Sequence, residues 1–323
     1  MHAKTYTYSQ LAAASVARMV ASYYEFDTEP DCKFYVLGLH DNYLIETKTE
    51  KFILRIYRND WRTEEEIRFE LELLVFVTNQ TEQVAGPVPT KQGGLSFKID
   101  SPEGVRMATL FRYAQGQAPG NAINAAQAEL LAQAVAKVHT MTDTFTSAYH
   151  RQPLDVSYLL DDSVNAINPY LDADGVAYIC GVRDKLHADM PRLEKGVGVY
   201  GICIGDVNPS NFHITEANKL TLFDFDQCGY GYRAFEIGKF FSSIRNHQDV
   251  QTIREGFLKG YQQGRPLSPI ELEAIPIFEI VSVIWVWAIH VANVNRIGYK
   301  LMEKTYWDRR LAELEKLVTA RVN

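Results

Sequence analysis

What most constrains the fold of this chain is a change of hydrophobic period near Arg112. Before that point, short segments rich in β-branched and aromatic residues alternate with polar turns. The segments 34–37, 43–47 and 51–57 predict a β-meander, preceded by a helix over 9–24 with Leu11, Val16, Met19 and Val20 on one face. A charged amphipathic helix is predicted over 63–78, where Thr63 and Glu66 have the spacing of a capping box. A further hairpin is predicted over 95–99 and 106–111, turning at Ser101-Pro102-Glu103-Gly104.

Past Arg112 the pattern is helical. A Gly/Pro/Gln-containing stretch, 113–121, reads as a hinge. Helices are predicted over 125–141, 156–170, 176–190, 233–244, 250–263, 268–295 and 306–322, with one β interruption at 199–225. The expected organisation is α+β, a sheet-rich part over 1–112 and a larger helical part over 113–323, with no internal repeat. At 323 residues and 46% apolar composition the chain can bury a substantial core. The apolar run 274–292 is interrupted by Glu279 and His290, and a carboxylate in a bilayer is costly, so a buried helix is expected there and no membrane partner. A net charge of −7 without a Lys/Arg cluster argues against a nucleic-acid partner. Cys32, Cys180, Cys203 and Cys228 are scattered without C-x-x-C pairing, and residues 1–9 lack an apolar signal core. Reduced thiols and a cytoplasmic location are expected.

Chemistry concentrates in residues 200–241. Asp206 and Asn211 are separated by four residues, the spacing of a kinase catalytic loop, and Asp224-Phe225 follows a short apolar strand over 220–223. Phosphoryl transfer needs an oriented hydroxyl, an acceptor for its proton and a divalent metal to neutralise phosphate charge. Mg²⁺ takes hard oxygen ligands, which the Asp224 carboxylate and the Asn211 amide oxygen supply, while Asp206 would orient the hydroxyl. Any one of these residues alone would be expected to cap a turn. Their order and strand context together point to transfer.

The block resembles the aminoglycoside phosphotransferase and choline kinase family, including its homoserine-kinase-like and bacterial stress-response-kinase branches. Members carry H-G-D-x-H-x-x-N, then D-F-D or D-F-E followed by G-x-G-x-R-x-x-D. Here the first motif is Ile204-Gly205-Asp206-Val207-Asn208-Pro209-Ser210-Asn211, with Ile204 and Asn208 in place of the two histidines. The second is Asp224-Phe225-Asp226, then Gly229-Tyr230-Gly231-Tyr232-Arg233 and Glu236. The resemblance runs from about Val36 to Arg254. It implies a protein-kinase-like two-lobed fold with a small β-rich N-lobe and a mostly helical C-lobe. It further implies ATP (or GTP) as phosphate donor, Mg²⁺ held by Asn211 and Asp224, and Asp206 as the catalytic base.

Within 52–58, Arg55 occupies the position of the family's phosphate-contacting lysine, keeping the charge in a forked geometry. The resemblance gives Glu70 as the carboxylate that steers it. It places the phosphate-covering turn at 38–43, including Asn42, and an adenine-binding hinge at Thr109 to Tyr113, with Thr109, Phe111 and Tyr113 contributing backbone groups. The acceptor would be a small molecule such as an amino alcohol, a homoserine-like compound, a sugar or an aminoglycoside. Two other readings stand beside it: a stress-response-type protein Ser/Thr kinase, and an inactive nucleotide-binding module. Ile204, Asn208 and Arg55 favour the inactive module; the retained Asp206, Asn211 and Asp224 oppose it. His139 and His213 are expected to be structural. Trp285, Trp287, Tyr261 and Phe278 suit either core or acceptor pocket. Asp226 could be a second metal ligand or face the acceptor, and Arg233 could pair internally with Glu236. The oligomeric state is left open.

Overall fold

The computed structural model describes residues 5–322 and divides into two compact units. The first holds the chain up to Gly116 with the short returns Thr146–His150 and Thr221–Phe223. The second holds Gln117–Phe145, Arg151–Leu220 and the chain from Asp224 onward.

In the first unit, helix α1 (Ala13–Tyr23) precedes strands β1 (Asp31–Leu37), β2 (Asp41–Glu46) and β3 (Lys51–Ile56). Helix α2 (Glu64–Thr78) and the hairpin β4 (Phe97–Ser101) and β5 (Gly104–Arg112) follow. The five strands form one antiparallel sheet in the order β1-β2-β3-β5-β4. Strand β2 buries alternate residues, the pattern of a half-covered strand, and Tyr43, Ile45, Leu54 and Leu110 pack on one face with Val16 and Val20 of α1. Each such buried side chain contributes about 1.5–3 kcal/mol. The capping box at Thr63 and Glu66 is formed at the start of α2. Arg106 is buried, donating to Asp41 at 2.7 Å and to the Tyr57 carbonyl at 2.9 Å. It thereby bolts β2, β3 and β5 together at the end where Asn42 and Arg55 face each other in register.

The second unit is mainly helical. It contains α3 (Ala125–Met141), α4 (Ser163–Ile167), α5 (Ala173–Asp189), α6 (Arg233–Ile244), α7 (Val250–Gly264), α8 (Pro269–Ala292), α9 (Val294–Ile297) and α10 (Lys304–Val322). The segment anticipated as helical over 156–170 is helical throughout but not uniform: a wide π-turn (Ser157–Asp162) leads into the short α4, and the run tightens to a 3₁₀ turn at Asn168-Pro169-Tyr170, where proline lacks the N–H to continue the ladder. The β interruption contains β6 (Tyr200–Cys203), β7 (Phe212–Ile214) and β8 (Leu220–Leu222), of which Thr221 and Leu222 are counted with the first unit, and a strand not anticipated, β9 (Gly229–Tyr232), paired antiparallel with β6. Gly231 lacks strand propensity, but a Cβ there would lie 3.0 Å from the Leu154 carbonyl oxygen, so glycine permits the close approach.

Helix α8 is long and apolar enough by composition to cross a membrane, yet 72% of its most apolar window is buried inside the fold. The polar residues that interrupt it have partners there. Glu279 accepts from Arg254, and His290 shares a hydrogen bond of 3.1 Å with the Tyr306 hydroxyl. A capping box at Ser268 and Glu271 fixes where α8 begins.

Candidate functional site

Two loops leave the same end of the β6/β9 ladder. Cys203 is the register partner of Gly229, so the loop 204–211 starts where the segment 224–228 finishes. The two are packed together at Gly205. Its φ is +87°, and a Cβ would sit 2.6 Å from the Gln227 carbonyl carbon and closer still to its oxygen. Glycine is therefore dictated here by both the left-handed backbone and the contact. Asp226 and Cys228 in turn offer their carbonyls to buried Arg151.

Asp206 is held from two sides. Asn211 Nδ2 donates to its Oδ2 and to its main-chain oxygen, both at 2.9 Å, and Lys239 Nζ lies 2.6 Å from Oδ1. With Nδ2 engaged, Oδ1 is the Asn211 atom that can serve a cation. Asn208 further stiffens the loop, donating to the Asp206 carbonyl at 3.1 Å and accepting from the Ser210 N–H at 2.8 Å. Asp224 adopts φ +63°, one of three described non-glycine residues with positive φ. That conformation costs about 1–2 kcal/mol for an L-residue, and Asp and Asn, the types at all three positions, adopt it most readily. The donor set is carboxylate and amide oxygen, the chemistry of a hard divalent cation such as Mg²⁺, so the residues fit that group.

Beneath the loop lies Glu236 on α6, fully buried. It accepts from the main-chain N–H of Ile204 and, at 2.9 Å, from that of Gly205. Burial raises its carboxyl to about 7, against the lowering by the two loop amides and Lys239. His139 Nε2 lies 3.3 Å from Glu236 and Nδ1 lies 2.8 Å from the Tyr261 hydroxyl. Burial, with Arg233 and Arg265, holds His139 well below its usual value and therefore neutral, so its Nε2–H donates to Glu236 and Nδ1 accepts from Tyr261. His139, Cys203 and Glu236 are near enough to suggest a metal centre, but the Glu236 oxygens already hold the loop amides and His139 Nδ1 already holds Tyr261. The cluster is a brace.

The Arg233–Glu236 ion pair expected from sequence does not form. Arg233 instead approaches Asp143 at 2.8 Å, because Glu236 is claimed by the loop amides. Ile204, in place of the usual histidine, is buried, and its N–H is tied down by Glu236. Trp285, Tyr261 and Phe278 are core residues, whereas Trp287 also lines a cavity beside the loop. Asp226 is buried and accepts from Gln227 Nε2 at 3.2 Å. His213 lies in β7.

In the first unit, Arg55 Nη1 donates to Glu70 Oε1 at 2.9 Å, and Tyr57 donates to the other Glu70 oxygen at 3.1 Å. Glu70 is buried, whereas at the start of α2 Glu65 is exposed and Glu64 and Glu66 are half-buried. The guanidinium also stands 5.1 Å from the Phe111 ring centre. Asn42 and Thr109 are its register partners on β2 and β5. The hinge expectation needs correction. The Leu110 N–H and C=O bond outward, to Tyr24 and Val88, so by strand alternation the Thr109 and Phe111 backbone groups point at β3 and are spent on sheet pairing. Of the three residues only Tyr113 lies past the strand; burial and a hydrogen bond with Tyr35 raise its phenol.

Sequence reasoning missed Lys239. Its signal was available: a lone lysine in the apolar run Ile237-Gly238-Lys239-Phe240-Phe241, one helical turn beyond Glu236. A buried ammonium in such a place needs a carboxylate.

A small antiparallel sheet followed by a helical body with a loop of this kind is the kinase-like phosphotransferase architecture, and comparison with known structures agrees. The microcompartment-associated aminopropanol kinase superposes with a TM-score of 0.80 at 20% identity, covering 95% of this chain and 98% of that one. Amicoumacin kinase hAmiN, solved with AMP-PNP, Ca²⁺ and Ami, gives 0.78 at 20% identity, covering 94% and 93%. An uncharacterised protein of Synechocystis is 36% identical over 312 residues, 96% of this chain and 86% of that protein. Residues 33–269 match the model of the phosphotransferase enzyme family (APH), and the chain belongs to that family.

Proposed function

We propose that this protein is a kinase that moves the γ-phosphate of ATP to a hydroxyl of a small molecule with the help of a divalent cation. The observation that carries the reading is the clamped Asp206 carboxylate, fixed by Asn211 and Lys239 on a loop packed against the segment that begins at Asp224. A surface carboxylate with no task has no use for so complete a restraint.

Asp206 accepts the hydrogen bond of the acceptor hydroxyl and aims its oxygen at the γ-phosphorus. The new O–P bond forms as the bond to the β–γ bridging oxygen breaks, ADP leaves, and the hydroxyl proton passes to Asp206 and on to solvent. Asn211 Oδ1 and the Asp224 carboxylate would hold Mg²⁺, which neutralises triphosphate charge when bound. Arg55, steered by Glu70, contacts phosphate oxygens; Asn42 lies on the strand beside it, and the chain from Tyr113 receives the base. AMP-PNP and Ca²⁺ in the hAmiN structure favour ATP and a divalent ion for the related fold.

The test is a panel of small hydroxyl compounds incubated with ATP and Mg²⁺, read by acceptor-dependent ADP release and by phosphorus NMR of the product. Asp224→Ala should weaken metal–nucleotide binding itself. A protein that binds no nucleotide, or releases ADP independently of every acceptor, would refute the reading.

A further inference from the structure

We infer that the acceptor carries an anionic group, a carboxylate or phosphate, held by Arg245 and Arg310 in the cavity beside the 204–211 loop. This rests on the kinase reading and narrows its substrate class.

The cavity measures about 300 Å³, and its walls include Asn208 and Ser210 of the loop, Lys239, Arg245, Trp287 and Arg310. Lys239 ties it directly to Asp206, so a molecule seated there has its hydroxyl near the reacting carboxylate. An adjoining cavity of about 470 Å³ shares Asn121, Pro209 and Ser243 with it. Among the described residues, no aspartate or glutamate lines either cavity. In a chain of net charge −7, an all-basic set of charged wall residues is a local reversal.

The two arginines are under-compensated. Arg245 Nη2 and Arg310 Nη1 both face a single carboxylate oxygen, Glu313 Oε2, at 3.7 and 3.2 Å. Lys239 is matched by Asp206, and Glu279, which accepts from Arg254, also acts on Arg245; the guanidiniums of Arg245, Arg254 and Arg310 thus face two carboxylates, Glu279 and Glu313, and one positive charge is left over. Arg245 is steadied by donating to the Ser242 carbonyl at 2.8 Å. Arg310 lies over the Tyr306 ring at 5.0 Å and near Trp287 at 5.8 Å. Its Nε is buried without a hydrogen-bond partner among the described residues. Two half-buried, pre-positioned forks with spare donors suit a planar carboxylate or a phosphate. A polycationic acceptor would meet like charge and find no carboxylate on these walls.

The experiment uses matched alcohols that differ only in the anionic group: homoserine against 3-aminopropan-1-ol, and D-glycerate and glycerol 3-phosphate against glycerol. Binding is read by calorimetry with AMP-PNP and Mg²⁺ present, and transfer by ADP release. The expected result is tighter binding of at least one anion than of its counterpart, with Arg310→Ala and Arg245→Ala each weakening it about 10- to 100-fold, the worth of a charge-assisted hydrogen bond. Arg310→Lys should recover part of the loss, which separates lost charge from misfolding. If none of the anions binds in an arginine-dependent way, the inference is overturned; ADP release on an uncharged or cationic alcohol would then leave the kinase reading intact. Arginine-dependent anion binding without transfer to any acceptor would keep the subsite and remove the kinase reading.

Discussion

Replacing Glu236 by glutamine should change how stability depends on pH. In the folded protein burial lifts this carboxyl to about 7, while the ordinary value is 4.5. Between those values the native state binds more protons than the unfolded chain, so the stabilisation relative to the ionised form is fully present below about 4.5 and is lost as pH rises through about 7. The gap of 2.5 units (7 minus 4.5) corresponds to roughly 3 kcal/mol at 1.36 kcal/mol per unit. Glutamine resembles the protonated acid, with one acceptor and one donor end, and does not titrate. Urea unfolding followed by the fluorescence of Trp285, Trp287 and Trp307 should show the wild type losing about 3 kcal/mol relative to Glu236→Gln across that window. Above about pH 7, where the wild-type carboxylate is ionised and accepts from both Ile204 and Gly205, the variant should turn over more slowly, because its NH₂ end donates and leaves one of those N–H groups without an acceptor. A stability difference that stays flat with pH would refute the buried, raised carboxyl.

Lys239→Met should lower kcat far more than it changes nucleotide affinity, with Lys239→Arg restoring part of kcat; an unchanged kcat would remove Lys239 as the group that positions Asp206. Removing one partner of a fully buried pair costs about 3–5 kcal/mol. Because Asp206 is about a third exposed, a smaller loss of about 1–2 kcal/mol is expected, checked by thermal unfolding. Gly205→Ala must relieve both a left-handed backbone and the overlap with Gln227, so a loss of at least about 2 kcal/mol and of most activity is expected; a variant as stable and active as wild type would contradict the packing of the two loops.

The strands, the capped helix α2 and the long helices were legible because each carries its own period and caps: Thr63 with Glu66 starts α2, and residues 125–141 become α3 with the anticipated ends. Asp206, Asn211 and Asp224 were singled out by spacing; the structure brings Asn211 onto Asp206 and packs Gly205 of their loop against Gln227 of the segment after Asp224. The network behind them was less legible. Glu236 could be seen to need a partner, but not that the partners would be two main-chain N–H groups, since an amide leaves no trace in composition. Strand β9 was hidden by its glycines, whose role is to let Leu154 approach. The backbone roles assigned to Thr109 and Phe111 failed because main-chain direction depends on strand parity, which the pairing of β5 with β3 sets.

The most direct test of the account is Asp206→Asn, with acceptor-dependent ADP release and ATP affinity measured on the same preparation. The account predicts that release falls by a factor on the order of 10²–10⁴ while nucleotide binding persists. Turnover equal to that of the wild type would contradict it.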